Sequence, residues 1–300
     1  MKYKMLFIAL CSFALIIFAS GCTKAELCEG KNVTLYFQYK AGGTQDVLPE
    51  YIGSVMIYVY DAETGKFVQS AKVSNNQLLS SQQTDLLLDP GKYDVICWGN
   101  VNDNTLLADV TSGKTKAIIA NTRTSSEQQL KTTDPLYYAK TTLEVSSEKL
   151  SSSAEVNFCC AHIDIWVYVK GIIDQSTTTA SIAPVISVGY LPSSCDFDMR
   201  AQGDKICYYP ESSYREDRLV YMSHCSVFRF DENTDASIYV YNGSNRKLID
   251  KISLCEFISK NQISISQKEE VSIAILLEYS PLGVTISIPD WKEVPVSPQW

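Results

Sequence analysis

The run Leu88-Asp89-Pro90-Gly91-Lys92-Tyr93-Asp94-Val95-Ile96-Cys97-Trp98-Gly99-Asn100 decides the fold class. Asp89-Pro90-Gly91 is a turn, because proline presets φ and glycine accepts positive φ. Tyr93 to Trp98 then makes a strand, and Gly99-Asn100 stops it. Trp98 is large enough to fill the space between two facing sheets, so the stretch predicts a hairpin strand carrying a core tryptophan.

Strands extend in both directions from this point. Val33–Tyr39 is β-branched and aromatic and ends at Gly42-Gly43. Val55–Tyr60 is a nearly continuous apolar run, the pattern of a strand covered on both faces or lying in a sandwich core. It turns at Asp61–Gly65 and returns from Lys66, so residues 55–72 predict a hairpin. Further strands are expected near Leu106–Val110, Lys116–Ile119 and Leu136–Val145, with a polar surface loop over 121–134. Residues 146–153 hold five serines in eight positions. Beyond them Ile163–Val169 alternates cleanly. Ile182–Gly189, Ile206–Tyr209, Val227–Phe230, Ser237–Tyr241, Lys247–Ile252, Val271–Tyr279 and Val284–Ile288 continue the series. Leu254, Phe257 and Ile258 fall at helical spacing and mark one helical turn. Many short strands without a long amphipathic helix predict an all-β chain of two tandem β-sandwiches, 31–150 and 151–300, divided at the serine-rich segment.

The amino terminus reads as a signal. Lys2 and Lys4 precede Met5–Phe18, whose one polar residue is Ser12, and Ala19-Ser20-Gly21-Cys22 follows. Charge, a short apolar core and small residues make a secretory signal and not a spanning helix, which needs roughly 20 apolar residues. A cysteine directly after the small residues marks the bacterial lipoprotein form. Residues 1–21 are then the signal peptide, Gly21–Cys22 is the bond cut, Cys22 carries the lipid, and 22–30 is a lipidated tether. A plain secretory signal followed by a chance cysteine is the alternative. Two or three acyl chains hold a protein stably on a membrane, whereas one binds reversibly.

Removal of the signal leaves 279 residues, with 24 basic against 34 acidic side chains and a net charge of −10. That balance argues against nucleic acid and against electrostatic docking to anionic lipid, so the lipid itself must tether the chain. Ten cysteines are present, and eight remain once Cys11 has left with the signal and Cys22 is acylated. An exported protein could pair them. No CxxC spacing occurs, however, and Cys97 and Cys159 lie in apolar runs where a free thiol packs as a small hydrophobe. Mostly unpaired core cysteines are expected.

His162 and His224 are the two histidines, and no HExxH or Cys/His cluster forms in the sequence. No phosphate loop, dinucleotide fingerprint or GxSxG elbow occurs, and no carboxylate pair stands out. The residues give no support for an enzyme, a cofactor or a metal.

Taken in order, the motifs resemble a known family. They are Cys22 with its tether, the aromatic strand Val33–Tyr39, Val-x-Ile-x-Val-Tyr-Asp from Val55 to Asp61, and Gly65-Lys66-Phe67-Val68. Then come Leu88 to Asn100, Asp134-Pro135-Leu136-Tyr137-Tyr138, Ile163–Val169 and Ile-x-Ile-x-Asp-Trp from Ile286 to Trp291. Together they resemble the FimB-like family of fimbrial anchor lipoproteins, the basal subunits of type V pili, over essentially the whole mature chain. The resemblance implies two transthyretin-like Greek-key sandwiches and a subunit that holds a pilus base to the outer membrane and ends or limits its assembly. The implied partners are a fimbrial stalk subunit, met by strand addition, and the membrane, met through lipid. Strand addition draws generic affinity from the backbone and specificity from alternate side chains. The resemblance also implies that stalk subunits are trimmed after an amino-terminal arginine. Here the first arginine is Arg123, so Val33–Tyr39 is expected to stay in its own sheet.

Val284, Ile286 and Ile288 alternate with polar residues as a donated or edge strand should, and Trp291 and Trp300 follow in a proline-bearing tail. These are the candidate partner-contact residues. Two readings stand for Val284–Ile288: partner contact, or closure of its own sheet, which leaves Trp291–Trp300 as the piece free to move. Competing functions are an outer-membrane glycan-binding lipoprotein, which would need exposed tryptophans among Trp98, Trp166, Trp291 and Trp300, and an adhesive tip subunit of the same fold.

Overall fold

A computed structural model describes residues 30–122, 129–148, 151–172, 183–266 and 269–291. The expected all-β architecture is present: the described residues form four sheets packed into two sandwiches. In the first, β1 (Val33–Gln38) lies between antiparallel β4 (Gln83–Leu86) and parallel β9 (Ser152–Asn157). This small sheet faces a second, in the order β10 (Cys159–Cys160), β8 (Tyr137–Val145), β5 (Gly91–Gly99), β2 (Val55–Asp61) and β3 (Phe67–Val73). Leu35, Phe37, Ile57, Val59, Val95 and Cys97 fill the space between them.

The second sandwich sets β14 (Ser212–Arg215), β15 (Val220–Phe228), β11 (His162–Lys170), β18 (Ser272–Ser280) and β19 (Gly283–Ser287) against another sheet. That sheet runs β17 (Leu248–Ser253), β16 (Ser237–Tyr241), β12 (Val185–Asp196), β7 (Ile118–Asn121) and β6 (Thr105–Ala108), with β13 (Ala201–Tyr208) paired to β12. Ile165, Val167, Ile186, Val188, Ile275 and Leu277 are among its core.

The sheets are partitioned differently from the expected 31–150 and 151–300. The serine-rich stretch leads into β9, which pairs parallel with β1 in the first sandwich, and the chain reaches the second only at Ala161, between β10 and β11. In the other direction, β6 and β7 leave the first sandwich and pair into the second through β12. Serine suits an edge strand with one wet face as well as it suits a linker, so composition could not separate the two.

Three short helices complete the described residues: α1 (Leu48–Tyr51), α2 (Asn75–Ser81) and α3 (Leu254–Lys260). In α3 Leu254, Phe257 and Ile258 are buried, as their spacing predicts, and the Glu256 amide donates to Ser253 Oγ at 3.3 Å. α2 went unread. The Ser74 amide donates to Gln77 Oε1 at 3.0 Å, a reach-back that starts a short, mostly polar helix whose Leu78 is buried.

Trp98 is fully buried, yet not between the facing sheets of its own sandwich. Strand alternation sends Tyr93, Val95 and Cys97 inward, while Ile96 and Trp98 point to the opposite face, with Tyr58, Tyr60 and Tyr138. Phe197, just past β12, plugs this outer face. Its ring lies 5.5 Å from that of Tyr58, 6.2 Å from Tyr60 and 6.0 Å from Trp98. The continuous apolar runs of β2 and β5 thus serve two cores, one within a sandwich and one between sandwiches.

The motif residues Asn100 and Asp134-Pro135 meet at the same end of β5. Asn100 Oδ1 accepts from the Gly53 amide at 2.9 Å, and its Nδ2 donates to the Tyr51 and Pro135 carbonyls at 2.8 and 3.1 Å. Asp134 accepts from the Asn102 and Asn104 amides at 2.8 and 3.3 Å, which folds the start of the β6–β7 excursion.

Candidate partner-binding edge

Strand β19 pairs antiparallel with β18 only, Leu277 opposite Ile286 and Tyr279 opposite Val284, and it ends its sheet. Val284–Ile288 therefore does close its own domain's sheet over Gly283–Ser287. Among the described residues its outer edge has no partner, and an unpaired row of N–H and C=O groups is a template for another strand. Pairing stops at Pro289, which has no N–H to give.

The side chains on this edge are apolar and wet. Residues opposite one another share a face, so Val284 and Ile286 point the same way as core-facing Leu277. The opposing sheet does not reach over them: they are 36% and 37% exposed, and Ile288 is 48% exposed. Leu282, in the turn before β19, is wholly exposed. Across the opening, Leu248 and Ile249 on β17 are exposed as well. Beside the β18–β19 turn lies a groove of about 760 Å³ that mixes apolar Ile172, Leu248 and Ile249 with polar Asn242, Asn245 and Lys247 and includes no residue of β19. Burial, with the Asp250 carboxylate nearby, pushes the Tyr279 hydroxyl above the usual tyrosine range, so it stays neutral at physiological pH. Along this edge the described side chains of Val284, Ile286 and Ile288 are apolar and partly exposed.

Trp291 is not with these residues. Its ring packs edge-on against Tyr168 at 5.4 Å, and the Arg218 guanidinium lies 4.6 Å above it. It belongs with Val220 and Leu276 on the outer face of the sheet that β19 ends, and is thus held rather than free to move. Of the other tryptophans, Trp98 is buried, and Trp166 is buried and stacked on His224 at 3.9 Å. No tryptophan among the described residues is exposed, so the glycan reading gains no platform from Trp98, Trp166 or Trp291. Gly21, Cys22 and Trp300 lie outside the described residues.

Two features leave no mark in the sequence: the groove between the start of β17 and the β18–β19 turn, and the approach of Cys160 and His162 to Glu270, far along the chain. Neither leaves a local spacing to find.

The family model for the fimbrillin-A associated anchor proteins Mfa1 and Mfa2 matches residues 22–297 of the chain. The chain belongs to that family. Family membership makes it a fimbrial accessory protein of the cell envelope. No curated protein matches by sequence. Among solved structures, a candidate adhesin from Bacteroides ovatus superposes with TM-score 0.71 at 14% identity, covering 87% of this chain and 94% of that one. A candidate polysaccharide-binding protein from Bacteroides thetaiotaomicron gives 0.69 at 13% identity, over 85% and 95%. The fimbrial anchor protein Mfa2 from Porphyromonas gingivalis gives 0.66 at 15% identity, over 82% and 90%. At these identities the likeness is one of fold.

Proposed function

We propose that this member of the anchor family is the lipid-tethered basal subunit of a fimbria. Cys22 carries acyl chains in the outer membrane, and the β19 edge of the second sandwich takes a strand from a fimbrial stalk subunit. The chain does no covalent chemistry. The observation that carries the reading is the β19 edge, unpaired among the described residues, with Val284, Ile286 and Ile288 exposed along it. A monomeric soluble protein manages such an edge with charge or cover, and among the described residues this edge has neither.

The first sandwich supports a terminal position in the filament. β1 is the middle strand of its sheet, and Val33, Leu35 and Phe37 are buried, so freeing it would empty a core. No arginine precedes it that a trimming protease could use. One polymerising side on the second sandwich and lipid on the first make a subunit that ends a filament. The test is a photo-crosslinking residue placed at Ile288 in cells that display fimbriae. One adduct with a fimbrial subunit is expected; abundant filaments with no adduct contradict the assignment of this edge.

A further inference from the structure

Where the chain passes from one sandwich to the other, Cys160, His162 and Glu270 each bring a ligand atom to one place, and these atoms lie within 4.8 Å of one another. We propose that this junction is a zinc site. The sequence gives no sign of it, because Glu270 stands far from the Cys-Ala-His triplet.

The donor chemistry fits a borderline-soft dication. A thiolate, an imidazole and a carboxylate suit Zn²⁺, whereas Ca²⁺ and Mg²⁺ select oxygen alone. Tetrahedral zinc holds such donors roughly 3.3–3.6 Å apart, so the cluster needs to contract only slightly. On binding, Cys160 loses its proton to solvent as the Zn–S bond forms. Thiolate and carboxylate then neutralise the metal charge, which is what a buried ion requires.

The imidazole is already oriented. His162 is 2% exposed, and its Nδ1 lies 3.0 Å from the Leu136 carbonyl. A proton on Nδ1 makes that hydrogen bond and leaves the Nε2 lone pair bare. Asp164 Oδ2 lies 3.7 Å from Nε2, and Cys160 Sγ lies 4.0 Å from Nε2 and 3.3 Å from Nδ1, so the sulfur must shift towards the Nε2 side as the ion enters. A ring N–H given to a backbone carbonyl with the other nitrogen facing the ion is the usual outer-shell arrangement of zinc histidines.

The carboxylate is held in the same way. Tyr39 and Tyr137 both donate to Glu270 Oε1, Tyr137 at 3.0 Å. Arg229 fixes the approach of the two segments: Nε donates to the Cys160 carbonyl at 2.8 Å, Nη1 to Ile265 at 3.0 Å, and Nη2 to Glu269. Three protein donors leave a fourth position for solvent. The ion would join Cys160 on β10 of the first sandwich to His162 and Glu270 of the second, stiffening the connection between them.

The test uses the full chain with Co²⁺ and Zn²⁺ alone. One Co²⁺ per chain with a thiolate-to-metal charge-transfer band, displaced by Zn²⁺, is expected. Cys160→Ser should lose the band while its circular dichroism is kept, and Glu270→Gln should weaken Zn²⁺ by about tenfold or more. The proposal is overturned if the wild type binds no Zn²⁺ at micromolar concentration, or if the band survives Cys160→Ser. Should Cys160→Ser fail to fold, Glu270→Gln decides, since its side chain is only partly buried: unchanged zinc affinity overturns the site.

Discussion

The Tyr138 hydroxyl donates to the backbone carbonyl of Phe197 at 2.7 Å. The ring of Phe197 is 1% exposed, against Tyr58, Tyr60 and Trp98. One residue at the end of β12 is therefore held by both its side chain and its main chain on the outer face of the first sandwich. This contact ties β12 of the second sandwich to the outer face of the first.

Phe197→Ala should remove the plug and leave a cavity lined by aromatic rings. A loss of about 3–5 kcal/mol is expected, read from denaturant unfolding, with the single transition splitting as the sandwiches uncouple. An unchanged midpoint would show that the plug carries nothing.

Alkaline pH should act on the same place. Burial, with the Asp198 charge nearby, raises Tyr138, and burial raises Tyr60 beside it; burial also raises Tyr208, which lies in the core of the second sandwich. A tyrosine raised in the folded state contributes stability that is complete below its unfolded pKa of about 10 and is lost as pH climbs towards the folded value. Stability should be flat with respect to these groups from neutral pH to about 9.5, then fall. Tyrosinate absorbance from buried rings should appear together with loss of circular dichroism. Buried rings that ionise while the fold persists would contradict the assignment.

Asn100 is fully buried with φ +61°, a conformation asparagine tolerates better than most residues. Asn100→Ala strands the Gly53 amide and the Tyr51 and Pro135 carbonyls, and should cost about 3 kcal/mol. Asn100→Gly relieves the backbone but not the hydrogen bonds, so it should recover only part of that loss. Full recovery in the glycine variant would mean the side chain matters little.

Ile286→Lys separates folding from assembly. The side chain is 37% exposed on an edge unpaired among the described residues, so thermal unfolding should change by no more than about 0.5 kcal/mol. A charge on this edge should nonetheless block strand addition, and filaments should be lost or shortened. Normal fimbriation would place the partner contact elsewhere.

The sequence makes plain whatever depends on local pattern. β2 is an apolar run long enough to be a strand and too greasy to have a wet face, β5 and β11 alternate well enough to read as strands, and α3 carries its spacing openly. What it hides depends on distance. Nothing in Ser152–Asn157 states that its partner is β1, more than a hundred residues earlier, or that the pairing is parallel. Trp98 reads as buried, but which of two cores receives it turns on strand parity and on Phe197, a residue with no motif around it. The candidate edge was legible as an alternating strand, and its openness was not, because exposure of Val284 and Ile286 follows from where the opposite sheet ends. Asn100 and Asp134-Pro135 could be quoted as motifs, but their contact explains them.

The account rests on a subunit fixed by lipid at Cys22 and bound to a fimbria at the other end. The most direct measurement is fractionation of cells carrying Cys22→Ser, with the protein and assembled filaments quantified on cells and in the medium. The account predicts that both leave the cell together. Filaments and protein retained on cells as in the wild type would contradict it.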